Sequence, residues 1–409
     1  MNNRNQWNTL QRSERSSDLS TFFSFAILLV FVLSQNADWG NNRLLWWGSI
    51  GLFLVTFFMS HGGSLSLEQN YTLWIIAFFG ICAISYLWAV NTSLVVSTLK
   101  SMVVHVAVLL LLRSSIKSEN NVERVLKIVL LSVVINVVWL LLTNRSMFEE
   151  TGGKTEVIDR LGTEGSWNAN SVGMMAAIAM LIALYFQKKN KSVLLKALCL
   201  GVMALMILVA LLSGSRKAIL MVFIGLCGFI FVSSKGKRIR ATLLIVGVVL
   251  ALLYVVMEVP FFYSIIGWRM EGFWASLTGS GTVDSSAQIR NEFVKDAIRA
   301  WREKPFFGHG LDCYRAVNKV ELGMYAHNNY VELLADLGVI GTSIYYSAYA
   351  YCLVKLIKIK QKTPLVWLFI IFEGIFLVMH YGNVSYKSFL NEIFLMLMFS
   401  TISIYQNHR

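Results

Sequence analysis

Twelve predominantly apolar runs, each close to the length that crosses a bilayer, divide this chain almost end to end. A transmembrane helix needs about 20 such residues. The runs lie at about 19–37, 44–60, 71–90, 93–112, 123–143, 169–187, 193–213, 217–234, 240–257, 330–354, 364–381 and 388–405. Inside a bilayer no water satisfies the backbone, so each run has to become a helix. The predicted class is all-α and integral to the membrane, with about twelve transmembrane helices in one polytopic domain, 1–409. Only 14% of residues are charged, against roughly 25% in soluble domains. The net charge of +13 would suit nucleic acid, but the cations sit in short clusters between apolar runs. That pattern marks cytoplasmic loops beside anionic lipid, so membrane lipids rather than nucleic acid are the expected partners.

The same cations set the orientation. Alternate loops carry Arg4, Arg12 and Arg15; Arg113 and Lys117; Lys188, Lys189 and Lys191; Lys235, Lys237, Arg238 and Arg240; and Lys355, Lys358, Lys360 and Lys362. The positive-inside rule makes these loops and both termini cytoplasmic. The opposite loops are poorer in cations; around 144–168 the acids Glu149, Glu150, Glu156, Asp159 and Glu164 outnumber Arg145, Lys154 and Arg160. The first polar stretch runs into a span too long for a signal-peptide core, so it reads as an uncleaved first helix. The cysteines form no C-x-x-C pair and no acidic or Cys/His cluster has metal-ligand spacing, so neither a metal nor another cofactor is expected.

On the outer side falls a long loop, 258–329, between spans nine and ten. It is too long for a connector. Over Ser286–Trp301 the apolar residues Phe293, Val294, Ala297, Ile298 and Trp301 recur at helical spacing, with Ser285 or Ser286 as cap and Pro305, Gly308 and Gly310 as the stop. On a helical wheel Arg290 shares the apolar face, whereas Glu292, Lys295, Asp296, Arg299 and Arg302 fall on the opposite side or the flank. An arginine on a buried face needs an anion, either a structural carboxylate or a ligand. A second cationic place is the turn Ser213-Gly214-Ser215-Arg216-Lys217, where free N–H groups at a helix start join a guanidinium suited to phosphate. Snorkelling interface side chains are the plain alternative there. His327, with Asn328, Asn329 and Tyr330, stands where the polar loop meets the next apolar run. Its imidazole titrates near neutrality and suits general base work, though a lone interface histidine also serves structure. Arg160 is a weaker anion candidate, and Asn168 or Asn170 can cap the sixth span. Lys100 and Glu373, both inside spans, are expected to pair.

These residues together resemble the O-antigen ligase/polymerase superfamily. The likeness rests on the Ser213–Lys217 turn, on Arg290 followed by Pro305-Phe306-Phe307-Gly308-His309-Gly310, and on the run from His327 to Gly338. Arg160-Leu161-Gly162 fits the upstream motif, while Lys217 departs from the small residue common in relatives. The resemblance implies a metal-independent glycosyltransferase of the GT-C kind in the bacterial plasma membrane, with a partly helical extracytoplasmic cap. Its donor and acceptor would be undecaprenyl-diphosphate-linked oligosaccharides. Arg216 and Arg290 would hold the diphosphate and His327 would activate the acceptor hydroxyl. Arg160, Lys217, Asn328 and Tyr330 would bind substrate, and a chain-length regulator is a further candidate partner. The Ser-Arg-Lys turn and compact cap are most similar to polymerases, which join repeat units. A ligase or oligosaccharyltransferase acting on lipid A core or protein is the nearest alternative. A lipid-oligosaccharide flippase is a third, disfavoured because its polar sites would lie at the midplane of two matching halves.

Overall fold

The computed structural model describes residues 20–61, 65–144, 159–163, 167–233, 238–278 and 285–407. Arg4, Arg12, Arg15, Arg145, Glu149, Glu150, Lys154, Glu156, Glu164, Lys235 and Lys237, on which part of the charge reading rests, lie outside them, as do the side chains of Ser285 and Ser286. All regular elements among the described residues are helical. In chain order the principal ones are α1 (Ser20–Gln35), α2 (Arg43–His61), α3 (Gln69–Ile84), α4 (Thr92–Ser115), α5 (Glu119–Thr143), α6 (Ala169–Lys189), α7 (Val193–Leu212), α8 (Arg216–Ser233), α9 (Arg238–Glu258), α10 (Trp268–Thr278), α11 (Ser285–Glu303), α12 (Asn329–Lys358), α13 (Pro364–Met379) and α14 (Phe389–Asn407). Each of the twelve apolar runs falls on one of them. Eight helices among the described residues are long and apolar enough to cross a membrane, or nine if one bent pair counts as a span. That pair is Thr242–Glu258 and Pro260–Gly272, bent by 84°. Pro260 opens the second limb, where its fixed φ suits a first helical turn and its missing N–H costs nothing.

The chain divides into two compact units. The first comprises residues 1–66, 120–151 and 158–218. At its centre is α6, whose Gly173, Ala176, Ala177, Ala179 and Ala183 let neighbours approach closely. Around it, α1 meets α5 through Asn36 Nδ2 donating to Asn136 Oδ1 at 2.9 Å, and Phe23 packs on Phe53 of α2 with ring centroids 5.6 Å apart. At the far end of α6, Tyr185 and Lys189 both donate to the Glu123 carboxylate of α5.

The second unit comprises residues 67–119, 152–157 and 219–409. Trp74 of α3 donates to Ile344 O of α12 at 2.9 Å and lies near-parallel to Phe399 of α14. The tenth apolar run departs from expectation. Gly338 interrupts α12 with φ 65°, ψ −169°, leaving a short arm, Asn329–Leu337, and a long one. In an unbroken helix Asn329 and Tyr346 would be about 25 Å apart. Here Asn329 Nδ2 donates to the Tyr346 hydroxyl at 2.9 Å, so the short arm folds back along the long one. The helix that can cross a bilayer therefore starts beyond Gly338 rather than at residue 330.

Candidate functional site

In the first unit the Ser213–Lys217 turn is built from its own backbone. Ser213 N and Gly214 N donate to Val209 O and Leu211 O, and Gly214 takes φ 55°, which a glycine adopts without strain. Arg216 then opens α8, with both it and Lys217 half-buried. The upstream motif docks on this turn. Arg160 Nε donates to Ser213 O at 2.8 Å, its Nη2 to Asn170 Oδ1 at 3.0 Å, and Leu161 N to Leu212 O at 3.0 Å. Asn168 caps α6 by accepting from the amides of Asn170 and Ser171. A Cβ on Gly173 would come within 2.4 Å of Ser213 Oγ, so only glycine lets α6 lie against the turn. Three stretches that look separate in sequence thus form one constellation behind Arg216, and Arg160 braces it.

In the second unit the Pro305–Gly310 stretch seats on the break in α12. His309 N and Gly310 N donate to Ala335 O and Asp336 O at 2.9 and 2.8 Å, and Val339 N donates to Pro305 O at 2.9 Å. Gly308 and Gly338 interlock: a Cβ on Gly338 would meet Phe306 O at 2.2 Å, and one on Gly308 would meet Asp336 O at 2.4 Å. The short arm is gripped along one face at i, i+3 and i+7. Asn329 Oδ1 accepts from Ser385 N and Tyr386 N. Glu332 accepts from Ala326 N at 2.5 Å. Asp336 accepts from Tyr314 N at 2.6 Å and from the Tyr386 hydroxyl at 2.8 Å.

His327 is held between these grips with φ 55°. A non-glycine residue in that region is strained by about 1–3 kcal/mol. A hydrogen bond such as that from the Ala326 amide to Glu332 contributes about 0.5–1.5 kcal/mol. On the other side Asn328 accepts from Tyr330 N and Val331 N, a cap worth roughly 1 kcal/mol. The two together offset the strain and fix where the imidazole stands. Its ring lies 4.1 Å from that of Tyr325 and 5.9 Å from that of Phe293, the latter one turn along α11 from Arg290. Burial and the Glu332 carboxylate push the Tyr325 hydroxyl up from its ordinary pKa, and the Arg290 and Arg315 guanidinium groups pull it back. Arg290, Tyr325 and His327 therefore occupy one neighbourhood. Asn328 and Tyr330 also serve the arm itself: Asn328 as its cap, and Tyr330 by donating to Leu377 O at 2.7 Å and stacking on Tyr346.

Two expectations need correction. Asp296 is not on the outer side of α11; it is buried, its carboxylate receiving Arg299 Nε at 2.7 Å, Lys319 N at 3.1 Å and the Tyr314 hydroxyl at 3.3 Å. Burial pushes this carboxyl up, but those donors outweigh it and hold it below the usual range. The reason is that α11 packs against the loop 314–319 as well as against α12, so the buried sector is wider than the apolar stripe. Nor do Lys100 and Glu373 pair. Lys100 is exposed, and Glu373 is buried with neither oxygen hydrogen-bonded among the described residues. Glu392, in α14, instead lies 3.6 Å from His105 Nδ1. Glu332 and Asp336 escaped the sequence reading. Their spacing from Asn329 was the available signal, hidden because acids inside an apolar run read as helix-surface charges.

Residues 201–346 match a family model described as O-antigen ligase. The matched stretch contains Arg216, Arg290, the Pro305–Gly310 motif and His327, while Arg160 precedes it. No curated protein matches the chain. This match of a membrane-helical chain to the O-antigen ligase family model over residues 201–346 is consistent with the O-antigen ligase/polymerase superfamily that its motifs resemble.

Proposed function

We propose that the protein transfers glycan from a lipid-linked diphosphate donor to a sugar hydroxyl at the outer face of the plasma membrane, as a polymerase of repeat units. The observation that carries this is His327, held in a strained backbone conformation within the neighbourhood of Arg290 and Tyr325. Strain retained at a non-glycine residue is a common mark of a working site. In the reaction the acceptor oxygen bonds the donor's anomeric carbon while the carbon–oxygen bond to the diphosphate breaks. The electron pair stays on the diphosphate, and the acceptor's proton passes to the imidazole of His327. Arg290 meets the charge that grows on the leaving group, without the reorganisation water would need. Arg216, at the start of α8 in the first unit, is an anion ligand for the same class of substrate.

The ligase reading is favoured by the description of the matched family. A deletion strain separates the two. Single repeat units left on the lipid carrier identify a polymerase. Full-length polymer stranded on the carrier identifies a ligase. An unchanged glycan profile rejects both.

A further inference from the structure

Glu332 is a buried acid in the short arm of α12, and no step of the proposed reaction uses it. Its carboxylate accepts from Ala326 N at 2.5 Å, reaching back six residues to the amide of the residue before His327. His327 itself has φ 55°, and the residue after it, Asn328, is anchored by its side chain's bonds from Tyr330 N and Val331 N. The histidine is therefore flanked by two anchored residues, and Glu332 supplies the anchor on the loop side. Asp336, one turn on, Lys387 and Asp312 act on this carboxylate, which in turn acts on the Tyr325 hydroxyl, as Arg290 also does. Without the carboxylate, the amide of a fully buried Ala326 would lose its acceptor. The loop would relax toward unstrained backbone and carry the imidazole with it.

We propose that Glu332 is a positioning residue, which sets the location of His327 by holding the Ala326 amide. This rests on His327 being the base. The decisive property is the reach of the side chain to one N–H, not its charge. Glutamine keeps an acceptor at that reach. Aspartate keeps the charge but is one methylene short.

The test uses the purified full-length protein in nanodiscs, with lipid-linked repeat units taken from a polymerase-deficient strain as donor and acceptor. Glu332→Ala should lower kcat about 100-fold, in the range general base catalysis supplies, with donor KM changed less than about threefold. Glu332→Gln should stay within about tenfold of the parent, and Glu332→Asp should fall well below Glu332→Gln. The double variant Glu332→Ala/His327→Ala should be no slower than His327→Ala alone, because a positioning residue has nothing left to position. A merely structural role predicts losses that multiply, together with a lower thermal midpoint. Multiplying losses overturn the proposal, as does an aspartate variant more active than the glutamine one. If the alanine variant does not reach the membrane, the glutamine and aspartate pair decides alone. Full activity in His327→Ala would instead remove the base reading beneath it.

Discussion

At the scale of single residues, the proposed reaction separates groups that would meet a ligand from groups that hold those in place. Arg290 and Arg216 are placed in the first set. Arg290→Ala and Arg216→Ala should each abolish polymer at normal membrane abundance, and the lysine variants should recover it only in part, since a point charge cannot reproduce a bidentate fork. Near-normal glycan length in either alanine variant would defeat that assignment. His327→Ala should slow transfer by about 10²–10⁴-fold while donor affinity, measured separately on purified enzyme, is kept. Loss of affinity with an unchanged rate on bound donor would make the imidazole a phosphate ligand instead. The sequence made Arg290 visible as a charge on an apolar helix face, and His327 as an imidazole where the polar loop meets the next apolar run. It hid Glu332 and Asp336, whose meaning depends on a helix that folds back on itself. Helical periodicity carries no information about where a helix will break.

At the scale of elements, the break in α12 organises the site. The interlocked Gly308 and Gly338 allow two backbones to touch, and His309 then locks the loop to α11. Its Nε2 donates to Ala300 O at 2.9 Å, since a carbonyl can only accept. Its Nδ1 is buried without a partner among the described residues. Burial lowers the pKa of this imidazole, more than the Ala300 carbonyl raises it. Protonation would place an N–H at Nδ1 with nothing to receive it. The unfolded chain takes up that proton at about pH 6.5, whereas the folded loop resists it to lower pH. Stability contributed here is therefore present above about 6.5 and lost as the pH falls below it. The protection factors of the His309 and Gly310 amides, with the intrinsic slowing of exchange at lower pH divided out, should fall between pH 7.5 and 5.5. His309→Gln, which can still donate to Ala300 O, should flatten that dependence; an equal fall in the variant would assign it elsewhere. The sequence marked Pro305, Gly308 and Gly310 as a helix stop. That the stop also seats on the break at Gly338 was not legible, because contact between backbones leaves no side-chain pattern.

At the scale of the whole molecule, each of the twelve apolar runs falls on a helix among the described residues, while α10 and α11 lie outside those runs. Eight meet the length and composition needed to cross a bilayer. Orientation is a separate question, answered in sequence only by the cations. A cysteine in place of Glu321, which is exposed in the long loop, should react with an impermeant thiol reagent from outside intact cells. One in place of Lys360, exposed between α12 and α13, should react only after the membrane is opened. The opposite labelling would invert the chain and put the candidate site in the cytoplasm.

The grip on Asn329 has a consequence for exchange between relatives. What residues 380–386 offer this side chain and its amide is almost wholly main chain: His380 O, Ser385 N and Tyr386 N. Main-chain partners are indifferent to side-chain identity. The stretch 285–346 is tied to the rest of its unit by side chains as well: Ser85 Oγ accepts from Leu311 N, Thr98 and Lys387 donate to Asp312, and Tyr386 donates to Asp336. A graft of loop, arm and histidine between relatives therefore has to bring matching residues at 85, 98, 386 and 387, whereas the grip on Asn329 asks for no particular side chain at 385.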